Sequence, residues 1–264
     1  MPSVNIREVK NLENVIITGA SHGIGNSLAH LMLNKGCRVF GISRSIPRDL
    51  LKHPHFHFCS VDLSDLPAAT ERLANFLLRE HRIQHVWRLF LNAGLFSQRI
   101  APMKNVPLAD IDYLMKVNVW ANKMLLDLLL GSSVTIDSCV VSSSIAGVRA
   151  RSGFNGYAIS KSALNMTMKL YALENPSIFF AVLGLCFVDT RLGRHVLNTP
   201  LEGDFPENLA LRERAKNRGY LATAEQRALD VDAALSTTVR EHITSGDFIE
   251  IRSLEPLLRN LKVS

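Results

Sequence analysis

The feature that most constrains this chain is a junction near its start. There an apolar run, Val15-Ile16-Ile17, meets a turn built on Gly19, Gly23 and Gly25 and passes into a helical pattern through Leu28, Leu31 and Met32. Glycines allow a tight turn and a close approach of backbone to a ligand, while the start of a helix offers free N–H groups and positive potential. Gly36 punctuates the helix, and Arg38-Val39-Phe40-Gly41-Ile42 reads as a second strand. Because a helical crossover returns the chain in its original direction, the two strands pair in parallel.

The alternation continues. Strand signals recur at Phe56 to Val61, Trp87 to Leu91, Ser138 to Ser142, Ile178 to Leu183 and Phe248 to Ile251, separated by helical stretches. This predicts an α/β fold with a mainly parallel seven-stranded sheet covered by helices on both faces. With 264 residues, 47% hydrophobic and 20% charged, the chain can bury one good core, and residues 1–264 are expected to form one domain. Residues 192–220 break the rhythm. This stretch is rich in charge, carries Pro200 and Pro206, and falls at the carboxyl edge of the sheet, where open α/β folds bind ligands. It is read as a substrate lid, with a surface insertion as the alternative.

Other features exclude function classes. No apolar run approaches the roughly 20 residues of a membrane span. The start of the chain carries Arg7, Glu8 and Lys10 without the apolar stretch of a signal peptide, so a cytoplasmic protein with no membrane partner is expected. Cys37, Cys59, Cys139 and Cys186 are far apart, without C-x-x-C spacing, and read as buried free thiols. The formal charge of +6 is spread among acids with no basic block, which argues against nucleic acid and for a basic cleft that takes a phosphorylated cofactor. His53, His55 and His57 alternate with Phe56 and Phe58 after Pro54, as a half-buried strand does, so no metal site is expected.

The glycine spacing, G-x-x-x-G-x-G after Thr18, resembles that of the short-chain dehydrogenase/reductase family, and further landmarks follow in the family's order. Asn92-Ala93-Gly94 ends the fourth strand, Asn118 lies in the next helical segment, Ser144 follows the fifth strand, and Tyr157-Ala158-Ile159-Ser160-Lys161 opens a helix. The resemblance spans roughly Val15 to Thr190 and implies a single doubly wound Rossmann domain that binds a nicotinamide dinucleotide. It also implies a homodimer or homotetramer built through the helices containing Asn118 and Tyr157.

Tyr157 and Lys161 are four apart and share one helix face. An ammonium near a phenol favours the phenolate, which is expected to lower the tyrosine pKa toward working pH and let Tyr157 exchange a proton with a carbonyl oxygen. Ser144 is expected to donate a second hydrogen bond to that oxygen. It stands thirteen residues before Tyr157, the family's separation, with Ser143 as the alternative. By resemblance, Lys161 also bonds the nicotinamide ribose, and Asn118 anchors a water that relays protons from Lys161.

Cofactor contacts are expected from Gly19, Ser21, His22, Gly23, Ile24 and Gly25, and from Asn92, Ala93 and Gly94. At the end of the second strand, Ser43-Arg44-Ser45 holds no acid to accept from an NAD ribose, whereas Arg44 can grip a phosphate by two parallel hydrogen bonds. NADP(H) is therefore expected over NAD(H), with His22 adding a pH-dependent contact. Asp62 resembles the family aspartate beside the adenine, with a loop cap as the alternative. After the sixth strand, relatives carry Pro-Gly before Val-x-Thr. Here Leu185-Cys186-Phe187 precedes Val188-Asp189-Thr190, so Val188 and Thr190 keep their expected cofactor contacts while the turn before them is less predetermined. Leu95, Phe96, Ile145, Phe154 and Phe187 make an apolar pocket wall, which suggests an aliphatic or aryl ketone, an aldehyde or a dicarbonyl. The leading function is hydride transfer between NADP(H) and a small carbonyl or secondary alcohol. A cofactor-binding sensor or scaffold without turnover is the alternative, and epimerisation or dehydration through a transient ketone is a third.

Overall fold

The computed structural model describes residues 12–260, so Arg7, Glu8 and Lys10 lie outside the described residues. Seven strands form one sheet: β1 Asn14–Thr18, β2 Arg38–Ser43, β3 Phe56–Ser60, β4 His85–Leu91, β5 Thr135–Ser143, β6 Phe179–Gly184 and β7 Phe248–Glu250. Their order is β3-β2-β1-β4-β5-β6-β7, and every pairing is parallel. The sheet is thus wholly rather than mainly parallel. β4 and β5 begin earlier than their apolar runs because His85, Thr135 and Asp137 extend the pairing with partly or fully exposed side chains, which hydropathy alone does not register as strand.

Side chains alternate across a strand, and here both sets are buried. Ile16, Phe40, Leu89, Cys139 and Phe180 face one layer of helices, formed by α2 (Leu66–Leu73), α4 (Ala121–Gly131) and α5 (Asn155–Glu174). Val15, Val39, Phe90, Val140 and Ala181 face the other, where α1 (Gly23–Asn34) supplies Leu28 and Met32 and α8 (Ala224–Ala234) supplies Ala228 and Val231. Burial on both faces explains why the strands read as continuous apolar runs. The architecture is the doubly wound Rossmann type.

The remaining helices are α3 (Leu108–Met115), α6 (Arg191–Asn198), α7 (Pro206–Ala215), α9 (Thr237–Arg240) and α10 (Glu255–Asn260). α6 and α7 occupy the segment that interrupts the strand-helix rhythm. Phe205 and Leu211 from this segment pack with Phe96, Ile100 and Phe154 in a separate small core above the carboxyl edge of the sheet. Strand order reverses between β1 and β4, so the loops that leave these two neighbours diverge and open a crevice. No helix among the described residues is long and apolar enough to cross a membrane. Free cysteines are Cys37, Cys59 and Cys139, all buried, and Cys186, which is half-buried.

Candidate active site

The crevice begins at the glycine turn. Gly19 sits at φ +72°, a conformation that disfavours other residues, and a Cβ on Gly25 would come within 2.2 Å of the Gly19 carbonyl oxygen. The turn therefore closes only with glycine at these two places. His22 precedes α1 in extended conformation without capping the helix through its side chain, and the first turn holds no acid, which leaves the helix start suited to a phosphate. Buried Thr18 ties the two sides of the switch point together: its hydroxyl accepts from the backbone N–H of Asn92 and of Ala93, each at 3.0 Å. Ser21, His22, Gly23 and Ile24 line one wall of the resulting groove, and Asn92, Ala93 and Gly94 line the other.

At the far end of the groove stand Ser43, Arg44 and Asp62. Arg44 is more than half exposed and lies 4.0 Å from Asp62. Asp62 accepts from the Ser64 backbone N–H at 2.9 Å, and this bond is the main reason its carboxyl is held below the usual range. One contributor escaped sequence reading. Arg191, the first residue of α6, donates to His22 Nε2 at 3.2 Å, and Nδ1 of the same ring lies 2.9 Å from the Ser21 hydroxyl. Since a guanidinium only donates, Nε2 accepts and Nδ1 carries the proton toward Ser21. Arg191 thus brings a guanidinium to the glycine turn. The groove fits a dinucleotide: glycine lets its first turn close, the start of α1 has no side-chain cap, and two guanidiniums stand along its length.

Next to the groove lies a second cavity that shares Ile24, Asn92, Gly94, Phe96 and Thr190 with it. Ser144, Tyr157 and Lys161 meet there. The three serines that end β5 are sorted by alternation: Ser142 Oγ donates to Asn92 at 3.0 Å, Ser143 Oγ is buried against Asn165, and Ser144 faces Tyr157. Tyr157 packs edge-on against Phe96, with ring centroids 4.9 Å apart.

The expected effect of Lys161 on Tyr157 is not what the structure has. Burial pushes the Tyr157 phenol above its ordinary pKa, opposed by the adjacent Ser144 hydroxyl. Lys161 Nζ lies 5.7 Å from the tyrosine ring centroid and donates instead to the Ser142 carbonyl at 2.7 Å. Burial lowers its own pKa to about 8, so it is a weaker and more distant cation than its i, i+4 spacing suggests.

Asn118 is fully buried in a π-helical turn, Lys116–Trp120, between α3 and α4. Its Nδ2 donates to the Leu95 carbonyl at 3.0 Å and to Ser160 Oγ at 2.9 Å, and its Oδ1 accepts from the Leu95 N–H at 2.8 Å. The side chain therefore clamps the loop after Gly94 to the helix that carries Tyr157 and Lys161. This clamp places Leu95 on the groove rather than on the catalytic cavity, whereas Phe96, Ile145, Phe154 and Phe187 line the cavity as expected.

The turn after β6 adopts a left-handed conformation without a glycine. Cys186 sits at φ +57°, a left-handed conformation, with its thiol donating to Glu250 at 3.3 Å. Thr190 then caps α6, its Oγ1 accepting from the Gly193 N–H at 3.1 Å, while Val188 pairs with Ala222. Both Val188 and Thr190 line the catalytic cavity.

The profile of the short chain dehydrogenase family matches residues 13–198, well over half of the chain. This chain is a short-chain dehydrogenase. A benzil reductase ((S)-benzoin forming) of Bacillus cereus is 28% identical over 256 residues, covering 90% of this chain and 98% of that protein. The NADPH-dependent 3-dehydrocapnine reductase of Ornithobacterium rhinotracheale is 30% identical over 179 residues, 60% of this chain and 61% of that one. Among solved structures, a short-chain dehydrogenase/reductase of Saccharomyces cerevisiae superposes with a TM-score of 0.76 at 20% identity, over 94% of this chain and 98% of its own, which supports the fold. Like its family, this dehydrogenase is an oxidoreductase that binds a nicotinamide cofactor and acts on small molecules.

Proposed function

We propose that this short-chain dehydrogenase is an NADP(H)-dependent carbonyl reductase, with Tyr157 as proton donor, Ser144 as oxyanion partner and Lys161 and Asn118 as positioning groups. The observation that carries the proposal is the convergence of Ser144, Tyr157 and Lys161 in a cavity that opens into the glycine-turn groove. Gly19 to Gly25, Asn92 to Gly94, Val188 and Thr190 would hold the dinucleotide, and Arg44 and Arg191 its phosphates. A reduced nicotinamide bound there supplies hydride. Tyr157 donates its proton to the carbonyl oxygen as that oxygen gains charge, and the Ser144 hydroxyl donates a second hydrogen bond to it.

A phenol with a raised pKa stays protonated at neutral pH, which suits a general acid and therefore the reductive direction. Lys161, buried in the same cavity, would resupply the lost proton, and Asn118 keeps the loop and helix in register. α6 and α7 cover the cavity and serve as its lid. A homo-oligomer formed through α4 and α5 accounts for the row of exposed apolar side chains Ile159, Met166, Leu170 and Leu173 on α5, with Trp120 beside α4. Four unpaired thiols suit the reducing cytoplasm.

NADPH and NADH oxidation by the purified protein against ketones, aldehydes and diketones tests the reading. Turnover favouring NADPH, lost in Tyr157→Phe, is the expected result. Tight NADPH binding with no turnover across the panel would turn the reading toward a sensor.

A further inference from the structure

Beyond the aromatic floor, the catalytic cavity has a rim that apolar sequence reading did not anticipate. Arg149 and Arg151 follow the short helical turn Ile145–Gly147 behind Ser144, and Arg214 comes from α7, yet all three line the cavity that holds Tyr157. None of the three side chains is ion-paired to a carboxylate among the described residues. The buried guanidiniums of this protein do have carboxylate partners: Arg88 pairs with Asp232, and Arg227 with Asp230 at 3.5 Å.

Arg151 is the pivotal member. It is half-buried, its guanidinium carbon lies 5.1 Å over the Phe154 ring, and burial together with Arg149 and Arg214 disfavours its charge. Glu207 on α7 and Tyr220 favour that charge without bonding to it. Arg149 and Arg214 are exposed, and setting their charges beside half-buried Arg151 is unfavourable unless an anion completes the set. The Phe96, Phe154 and Phe187 rings line the same cavity, so apolar surface stands beside the guanidiniums.

We propose that Arg149, Arg151 and Arg214 form an anion subsite, so that the preferred substrate is a ketone or aldehyde with an apolar body and an oxyacid group, carboxylate, sulfonate or phosphate, at its far end. This rests on the carbonyl-reductase reading of the same cavity. It replaces the neutral aryl or aliphatic ketone with an amphiphilic anion. Guanidiniums suit such a group because their planar forks match oxyanion geometry, and stacking on Phe154 holds one of them oriented.

The test separates binding from turnover. Unreactive phenylacetate, 3-phenylpropanoate and 4-phenylbutanoate, with the corresponding amides, phenylmethanesulfonate and benzylphosphonate, are titrated into NADPH-loaded protein by calorimetry. At the best chain length the acid is expected to bind at least about tenfold tighter than its amide, the gain of one charge-assisted hydrogen bond. Arg151→Gln combined with Arg214→Gln is expected to remove that preference, with NADPH affinity as the check on folding. Ranking of the three acid classes identifies which oxyacid the rim fits. Equal binding of acid and amide at every length, or a preference that survives the double variant, overturns the proposal.

Kinetics with benzoylformate, 4-oxo-4-phenylbutanoate and their methyl esters then reads the acid-to-ester ratio of kcat/KM, expected to exceed about tenfold for the best-fitting acid and to fall toward one in the double variant, mainly through KM. Acid binding without turnover of any ketone, benzil included, sinks the reductase reading alone. Turnover of benzil with no acid preference sinks the anion subsite alone.

Discussion

The groove at the β1/β4 switch point and the cavity beside it differ in how they are made. Nearly every wall of the groove is a loop that leaves a strand end, and its shape follows from residues close in sequence: Gly19 and Gly25 in one turn, Asn92 to Gly94 in another. The cavity is assembled from β5, the turn after it, α5, the turn after β6, and α7. A groove built from local turns is fixed by spacing, whereas a cavity built from distant elements takes its charge from packing. The shape of the groove is therefore specified by local turns, while the lining of the cavity, Ser144, Tyr157 and Lys161 included, is brought together by packing.

The largest effect that sharpens this contrast is loss of the proton donor. Tyr157→Phe is expected to lower kcat by about a thousandfold while leaving NADPH affinity within twofold, because proton transfer carries the first quantity and the groove the second. Parallel loss of both, by stopped-flow and fluorescence titration, would show that the two regions are not separable.

Lys161 gives the next largest effect, and with opposite signs for activity and stability. Its pKa near 8, against 10.5 for the free side chain, means that the unfolded chain holds more protons between those values, so stability rises with pH through that window. At neutral pH, below the window, keeping the ammonium buried costs about 3 kcal/mol. Lys161→Met is expected to lower turnover by less than Tyr157→Phe does, to unfold no earlier than the parent in urea at pH 7, and to lose the gain in stability the parent shows between pH 7.5 and 10. A parent stability that falls over that range would place the charge in a solvated site.

Arg44→Asp is expected to weaken NADPH binding by about tenfold or more relative to NADH, and Arg191→Ala by a few-fold, with KM for the carbonyl substrate unchanged in the first. An unchanged NADPH to NADH ratio in both variants would remove the phosphate contacts from the groove. The smallest effect belongs to Cys186, whose left-handed φ of +57° suits glycine. Cys186→Gly is expected to be neutral or to stabilise by about 0.5 kcal/mol, and Cys186→Val to destabilise by about 1–2 kcal/mol, in chemical denaturation. Reversal of that order would mean the Cys186 thiol bond to Glu250, rather than backbone conformation, governs the turn.

By itself the sequence determined the sheet, its seven strands, the helices that flank it and the shared helix face of Tyr157 and Lys161. Each follows from a rule that acts over a few residues: side chains alternate along strands, i and i+4 meet on a helix, and glycine permits a tight turn. Ser144 is preferred over Ser143 on its thirteen-residue separation from Tyr157, the family's spacing.

What only the tertiary structure decided is where buried charges lie and what they face. The i, i+4 spacing of Tyr157 and Lys161 was legible, but the Ser142 carbonyl that holds the ammonium and the burial that raises the phenol pKa belong to the packing of β5 against α5. Arg191 meets His22, Asn118 clamps Leu95 to Ser160, and Arg149 and Arg151 join Arg214 across the cavity, because packing brings together elements far apart in the chain. Electrostatic energy depends on distance and desolvation, and neither is encoded in the spacing of residues that the fold alone brings together.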